Sequence, residues 1–137
     1  MIVYVDTSVV LRHLLARPQA LDWGQWRSAY SSELLGVEAR RVIDRIRLDA
    51  ALDDNGVAQA HQSLMMMEHF IGRIALTRAV LNRASLPMPT VAKTLDALHL
   101  ASALLFRERR GEKPVFATHD IQQATCARAL GFEVIGV

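Results

Sequence analysis

Ile2-Val3-Tyr4-Val5-Asp6-Thr7-Ser8 begins with four apolar residues, two Val and one Ile among them, and breaks off on a carboxylate followed by two hydroxyls. The run predicts a short buried β-strand. In an open parallel α/β sheet, ligands bind outside the carboxyl ends of the strands, and Asp6 stands at such an end. Asp, Thr and Ser are also good N-caps for the helix expected from about Val9. Whether Asp6 caps or catalyses turns on whether further acids arrive at the same edge.

The pattern returns late in the chain. Val115-Phe116-Ala117 reads as another short apolar strand, followed by Thr118-His119-Asp120 and a helix from about Ile121 to Leu130 that stops at Gly131. Phe132 to Ile135 is expected as a final edge strand. Between these ends, Val9 to Leu15 reads as a helix closed before Pro18. Gln19 to Trp26 is expected as a short helix with Trp23 and Trp26 on one face. Ser28 to Ser31 suits a strand, after which Ser31 or Ser32 caps a helix with Glu33 in its first turn. Val57 to Gly72 forms the next helix, with Leu64, Met67, Phe70 and Ile71 facing the core. Ile74 to Leu76 is a further strand, and Thr77 caps a short helix to Ala84. Thr94 then caps a strong helix that carries Asp96 in its first turn and His99 one turn on. That histidine either orients Asp96 or is a satisfied core residue.

Short apolar strands alternating with helices predict parallel βαβ units in an α/β fold, helices covering both faces of the sheet. Right-handed crossovers put the strand carboxyl ends at one edge. Asp6 and Asp120 sit there, and Glu38 and Asp96 lie near helix starts that open at that edge. Leu35, Glu38, Val42 and Ile46 share one helix face, so Glu38 interrupts an apolar stripe and needs a donor, a cation or a metal; Arg41 and Arg45 are within helical reach. Four carboxylates at one edge would repel and raise one another's pKa unless a cation neutralised them. An all-oxygen set favours Mg2+ or Mn2+ over zinc.

Composition excludes several classes. The 137 residues suit one domain, and 51% apolar content is too high for a disordered chain. No apolar run is long enough for a membrane span, and no signal segment is recognised, so a cytoplasmic protein is expected. The lone Cys126 suits a reducing compartment and a packing role. The formal charge of +2 is a weak pointer to an anionic partner. Arg40, Arg41, Arg45 and Arg47, and Arg107, Arg109 and Arg110, form basic groups able to meet phosphate or simply to solvate helix faces. Leu48, Leu52, Met65 and Met66 exceed what one core stripe needs, which suggests an interface.

The VDTSVV opening, Ser-Ser-Glu-Leu-Leu-Gly-Val-Glu from Ser31, Leu-Asp-Ala-Leu-His-Leu-Ala from Leu95, and Phe-Ala-Thr-His-Asp from Phe116 followed by Ala-Leu-Gly-Phe-Glu-Val resemble, in order and over the whole chain, the PIN domain. Among PIN domains they are most similar to VapC-like toxin ribonucleases. The resemblance implies a three-layer α/β/α sandwich with a mainly parallel sheet over residues 1–137. It also implies Mg2+-dependent cleavage of RNA, and inhibition by a small cognate antitoxin. By position the family's acids fall on Asp6, Glu38, Asp96 and Asp120, with Asp6, Asp96, Asp120 and Glu38 as metal ligands. Thr7, Ser8 and Thr118 are candidates for orienting the carboxylates. Where many members carry a further acid or Asn after the fourth carboxylate, this chain has Ile121, Gln122 and Gln123. A homodimer is expected. The competing readings are a catalytically silent PIN-like binding module and a phosphoacceptor receiver domain. The receiver needs an acid pair after the first strand and a Lys after the last, and the chain offers neither.

Overall fold

The computed structural model describes residues 1–137. Five strands form one sheet: β1 (Ile2–Val5), β2 (Ser28–Ser32), β3 (Ile71–Ile74), β4 (Val115–Ala117) and β5 (Val134–Ile135), in the order β3-β2-β1-β4-β5. Every pairing is parallel. Val3 stands beside Ala29 on one side and Val115 on the other, and Tyr4 beside Tyr30 and Phe116. Six helices cover the sheet: α1 (Thr7–Leu14), α2 (Leu34–Leu48), α3 (Asp54–Phe70), α4 (Arg78–Ala84), α5 (Thr94–Arg110) and α6 (Ile121–Ala129).

The layers follow from the alternation of side chains along β1. Val3 and Val5 point to one face, where they join Val9, Val10, Leu35, Ala39, Ile43 and Leu64 from α1, α2 and α3. Tyr4 points to the other, with Leu100, Ala103 and Leu104 of α5, Cys126 and Ala127 of α6, and Phe116 and Phe132. The central strand is buried on both faces, as a parallel sheet requires. The result is the expected α/β/α sandwich. No helix is long and apolar enough to cross a membrane.

Several local expectations are corrected. Residues 19–26 form turns rather than a helix. Trp23 and Trp26 do stack, with centroids 4.7 Å apart, but Gly24 N donates to the Asp22 side chain in a local turn that competes with helix. Glu33 is not a first-turn residue of α2. It precedes the helix, and its carboxylate accepts from Leu76 N at 2.8 Å, which ties the chain beyond β3 to α2; Ser32 Oγ accepts from Leu34 N. The stripe α2 buries is Leu35, Ala39 and Ile43, with Glu38, Val42 and Ile46 only partly covered at its border. The third strand begins at Ile71 rather than Ile74, because α3 passes into β3 with no intervening loop. Phe70, expected in the core, is 79% exposed. The residue preceding α5 is Lys93, without a side-chain cap, rather than Thr94.

Both arginine groups have structural uses. Arg40 pairs with Glu68, and Arg41 and Arg47 with Asp44. Arg107 lies over the Phe132 ring and donates to Leu130 O, while Arg110 lies over Tyr30 and Phe106.

Candidate active site

Parallel strands all end at one edge, and the acids collect there for that reason. Asp6 follows β1 directly. Its backbone N–H continues the ladder to Ala117 O at 2.9 Å, so β1 and β4 are still paired where their polar residues begin. Asp6 is 6% exposed and does cap α1, its Oδ2 accepting from Ser8 N at 3.3 Å. The same oxygen accepts from Ser8 Oγ at 2.6 Å and lies 3.2 Å from Thr118 Oγ1. Capping and site-building are therefore not alternatives here: one oxygen is anchored to α1, and Oδ1 lies 3.6 Å from His99 Nε2.

Thr118 and Asp120 follow β4 as Thr7 and Ser8 follow β1. Asp120 caps α6 by accepting from Gln123 N at 3.1 Å, and its own N–H donates to Thr118 Oγ1 at 3.0 Å. The Thr118 hydroxyl has one hydrogen to share between Gln123 Oε1 at 2.7 Å and Asp6 Oδ2. Ser8 Oγ accepts from His119 N at 3.1 Å, which closes the link between the two strand ends. Gln123 is fully buried, so its amide stands inside the site's wall and not on the surface after the last acid.

Glu38 reaches the same edge from α2. Its partners are Thr7 and His99, not Arg41 or Arg45. Thr7 Oγ1 donates to Glu38 Oε1 at 2.9 Å, and His99 Nε2 lies 2.6 Å from the same oxygen. His99 is 1% exposed, and its Nδ1 is 2.8 Å from the Tyr4 hydroxyl. It faces Glu38 and Asp6 rather than orienting Asp96. Burial pulls the His99 pKa down, but the hydrogen bond to Glu38 and the charges of Asp6, Glu38 and Asp96 outweigh it and leave the value above 6.5. Burial, and then the Asp6 charge, push the Tyr4 pKa well above 10.0, so the hydroxyl keeps its hydrogen.

Asp96, in the first turn of α5, leaves one oxygen unpartnered. Its Oδ2 is buried and has no hydrogen-bond partner. Burial raises its pKa, and the charges of Asp120 and Asp6 raise it further against a backbone hydrogen bond at Lys93 and the pull of His99. The sequence-derived set is thus brought to one edge and coupled electrostatically. No three of the side chains close round a common point as a finished metal site would. The donor chemistry nevertheless suits a hard divalent cation, because a buried orphan carboxylate oxygen opposed by the charges of two other carboxylates is what such a cation relieves.

A family model of the PIN domain matches residues 3–135. The chain belongs to the PIN domain family. Among the relatives of this PIN domain, Ribonuclease VapC47 of Mycobacterium tuberculosis (strain CDC 1551 / Oshkosh) is 25% identical over 131 residues, which span 95% of this chain and 93% of the relative. Among solved structures, a toxin–antitoxin complex from Klebsiella pneumoniae contains a chain that matches with a TM-score of 0.67 and 17% identity, over 97% of this chain and 95% of that one. At that identity the likeness is one of fold.

Sequence reasoning does not place Tyr4 or Gln123 in this PIN-domain site, and it offers His99 only as a residue orienting Asp96 or a satisfied core residue. Two signals were present. Tyr4 is a hydroxyl-bearing residue in an otherwise aliphatic strand, and His99 lies three residues after Asp96, on a helix whose apolar residues flank it on both sides. Each pointed to a buried polar group in need of a partner, without saying that the two would be each other's.

Proposed function

We propose that this PIN domain is a metal-dependent endoribonuclease, the toxin of a toxin–antitoxin pair, acting as one unit over residues 1–137. The observation that carries the reading is Asp96: a half-buried carboxylate with an orphan oxygen, its charge opposed by Asp6 and Asp120. A fold with no use for a cation would not be expected to keep three acids in that relation at the ligand-binding edge of a parallel sheet. The similarity to Ribonuclease VapC47 supports RNA as the substrate, and the fold shared with a member of a toxin–antitoxin complex supports the toxin assignment.

Asp6, Asp96 and Asp120 would hold Mg2+ or Mn2+, with Glu38 completing the set directly or through a bound water. When bound, the cation supplies an activated water and offsets the phosphate's charge. The chain's own residues do the positioning. Ser8 and Thr118 fix one oxygen of Asp6 and leave the other toward the site. Thr7 and His99 fix Oε1 of Glu38. A carboxylate so held suits accepting a proton from the attacking water.

The test is cleavage of total RNA with and without Mg2+, followed by mapping of the cut ends. Asp6→Asn and Asp96→Asn each keep side-chain shape and remove a charge. Both should lose activity by about two orders of magnitude or more, as should the parent protein in a chelator. Full activity in either variant, folded by circular dichroism, would sink the assignment. The partners that follow are RNA, a second copy of the chain and a small antitoxin whose gene neighbours this one; co-purification from co-expression of the two reading frames tests the last.

A further inference from the structure

We propose that His99 is a positioning residue for the reaction, held by Tyr4 on one side and holding Glu38 on the other. The chain of contacts runs from the buried hydroxyl of Tyr4 to His99 Nδ1 at 2.8 Å, and from His99 Nε2 to Glu38 Oε1 at 2.6 Å. Thr7 Oγ1 donates to the same Oε1 and stands 3.3 Å from Nε2. Four elements are joined: β1 through Tyr4, α1 through Thr7, α2 through Glu38 and α5 through His99. The inference rests on the nuclease reading above.

The geometry assigns a direction to the hydrogen bond. Glu38 Oε1 is a carboxylate oxygen and can only accept, so Nε2 carries a hydrogen toward it. Nδ1 meets a hydroxyl that can donate to it or accept from it, so Nε2 donates to Glu38 whether the ring is neutral or charged. Oε1 then has two donors, and Oε2 has none from the protein. One oxygen is for holding and the other is left to act. A glutamate at the border of a helix stripe has three side-chain torsions and would otherwise sample several rotamers; fixing it costs entropy before the reaction and not during it.

Packing alone does not explain a histidine at this position. At 1% exposure an aliphatic side chain would fill the space without any polar group to satisfy. An arginine or lysine would carry a permanent charge into the acid cluster and compete with a metal for the carboxylates. An imidazole donates one hydrogen bond in a fixed direction and takes a second from behind, which is how outer residues commonly set the orientation of ligands.

The experiment exploits the different reach of two amides. In His99→Gln the amide nitrogen extends to about where Nε2 stands, while in His99→Asn it stops near Nδ1. The asparagine variant should lose kcat by about 10- to 100-fold with KM little changed, and the glutamine variant should recover at least about fivefold of that loss. Combining His99→Asn with Glu38→Gln should add little to the loss from Glu38→Gln alone. Tyr4→Phe, which removes only an oxygen, should lower kcat in the same direction by a smaller factor and serves if the His99 variants do not fold. Equal activity in the glutamine and asparagine variants at matched melting temperature would overturn the proposal, as would full additivity with Glu38→Gln. Long-range proton–nitrogen NMR on the parent protein reads the ring without turnover: a hydrogen on Nε2 is expected, and a bare Nε2 overturns the proposal. Should the parent protein cleave no RNA with Mg2+, the nuclease reading falls by itself, and the NMR result still decides whether the ring holds the carboxylate.

Discussion

Asp96 carries a pH dependence whose sign follows from its surroundings. Its pKa in the fold is raised above the ordinary 3.8 by burial and by Asp120 and Asp6. Folding therefore favours its protonated form. That contribution to stability is complete below the ordinary carboxylate value and is lost as pH rises through the raised one. The metal-free protein should accordingly lose melting temperature across this window, and Asp96→Asn should flatten the loss. At neutral pH Asp96→Asn should melt about 2–5 °C higher than the metal-free parent, and added Mg2+ should raise the parent but not the variant. Scanning calorimetry at several pH values, with and without Mg2+, measures both; an unchanged pH profile in Asp96→Asn would show that the repulsion lies elsewhere. At this scale the sequence was informative about acids and silent about their partners. Asp6 is legible because a carboxylate ends an apolar strand. Glu38 is legible as an interruption of a stripe, but helical reach pointed to Arg41 and Arg45, whereas its actual donors come from residues 31 and 61 positions away. No local rule encodes such a pairing.

At the scale of elements, the parallel sheet leaves β3 as an edge held only by β2, and the contact that seats it is a ring over a glycine. A Cβ built on Gly72 would lie 2.5 Å from Cδ1 of Tyr30, with Arg110 placed over the same ring. Gly72→Ala should destabilise the fold by about 1–3 kcal/mol through overpacking, and Tyr30→Leu in the same chain should return part of it. Urea denaturation of the single and double variants checks this; independent effects would mean that the ring is not what the methyl group meets. As a contrast, Asp53 caps α3 by accepting from Gly56 N at 2.7 Å, far from the acids. Asp53→Ala should cost about 1 kcal/mol with cleavage unaffected, which separates an acid that only caps from Asp6, which caps and faces the site. The strands that sequence located well, β1 and β4, are the ones whose apolar runs end on polar residues. The sequence puts β3 three residues late because its Ile71-Gly72 start continues a helix without a turn, and a mid-strand glycine reads as a break. Residues 19–26 resemble a helix in sequence because two tryptophans three apart satisfy a helical face as well as they satisfy a stack in a turn.

At the scale of the molecule, one apolar surface does not include the acids. A cavity of about 580 Å3 opens among Trp23, Trp26, Met66 and Phe70, and none of the four acids lines it. Met65 and Met66 are 50% and 63% exposed, and Leu48 is 66% exposed. Light scattering at micromolar concentration should report a dimer, and Met66→Asp with Phe70→Asp should weaken association if this surface forms it. A monomer at all concentrations would remove self-association from the reading and leave the site as it stands.

The central position of β1 has one more consequence. It hydrogen-bonds to β2 on one flank and to β4 on the other, and Asp6 meets Thr118 across a separation of 112 residues. A nascent chain emerging from its amino terminus presents Asp6 first, then Glu38, then Asp96, yet β1 lacks half its neighbours until β4 has been synthesised. Asp120 and the Thr118 and Gln123 side chains that support Asp6 come last of all. The hydrogen bonds that join the two strand ends of this PIN domain therefore form late, because they wait on β4 and α6.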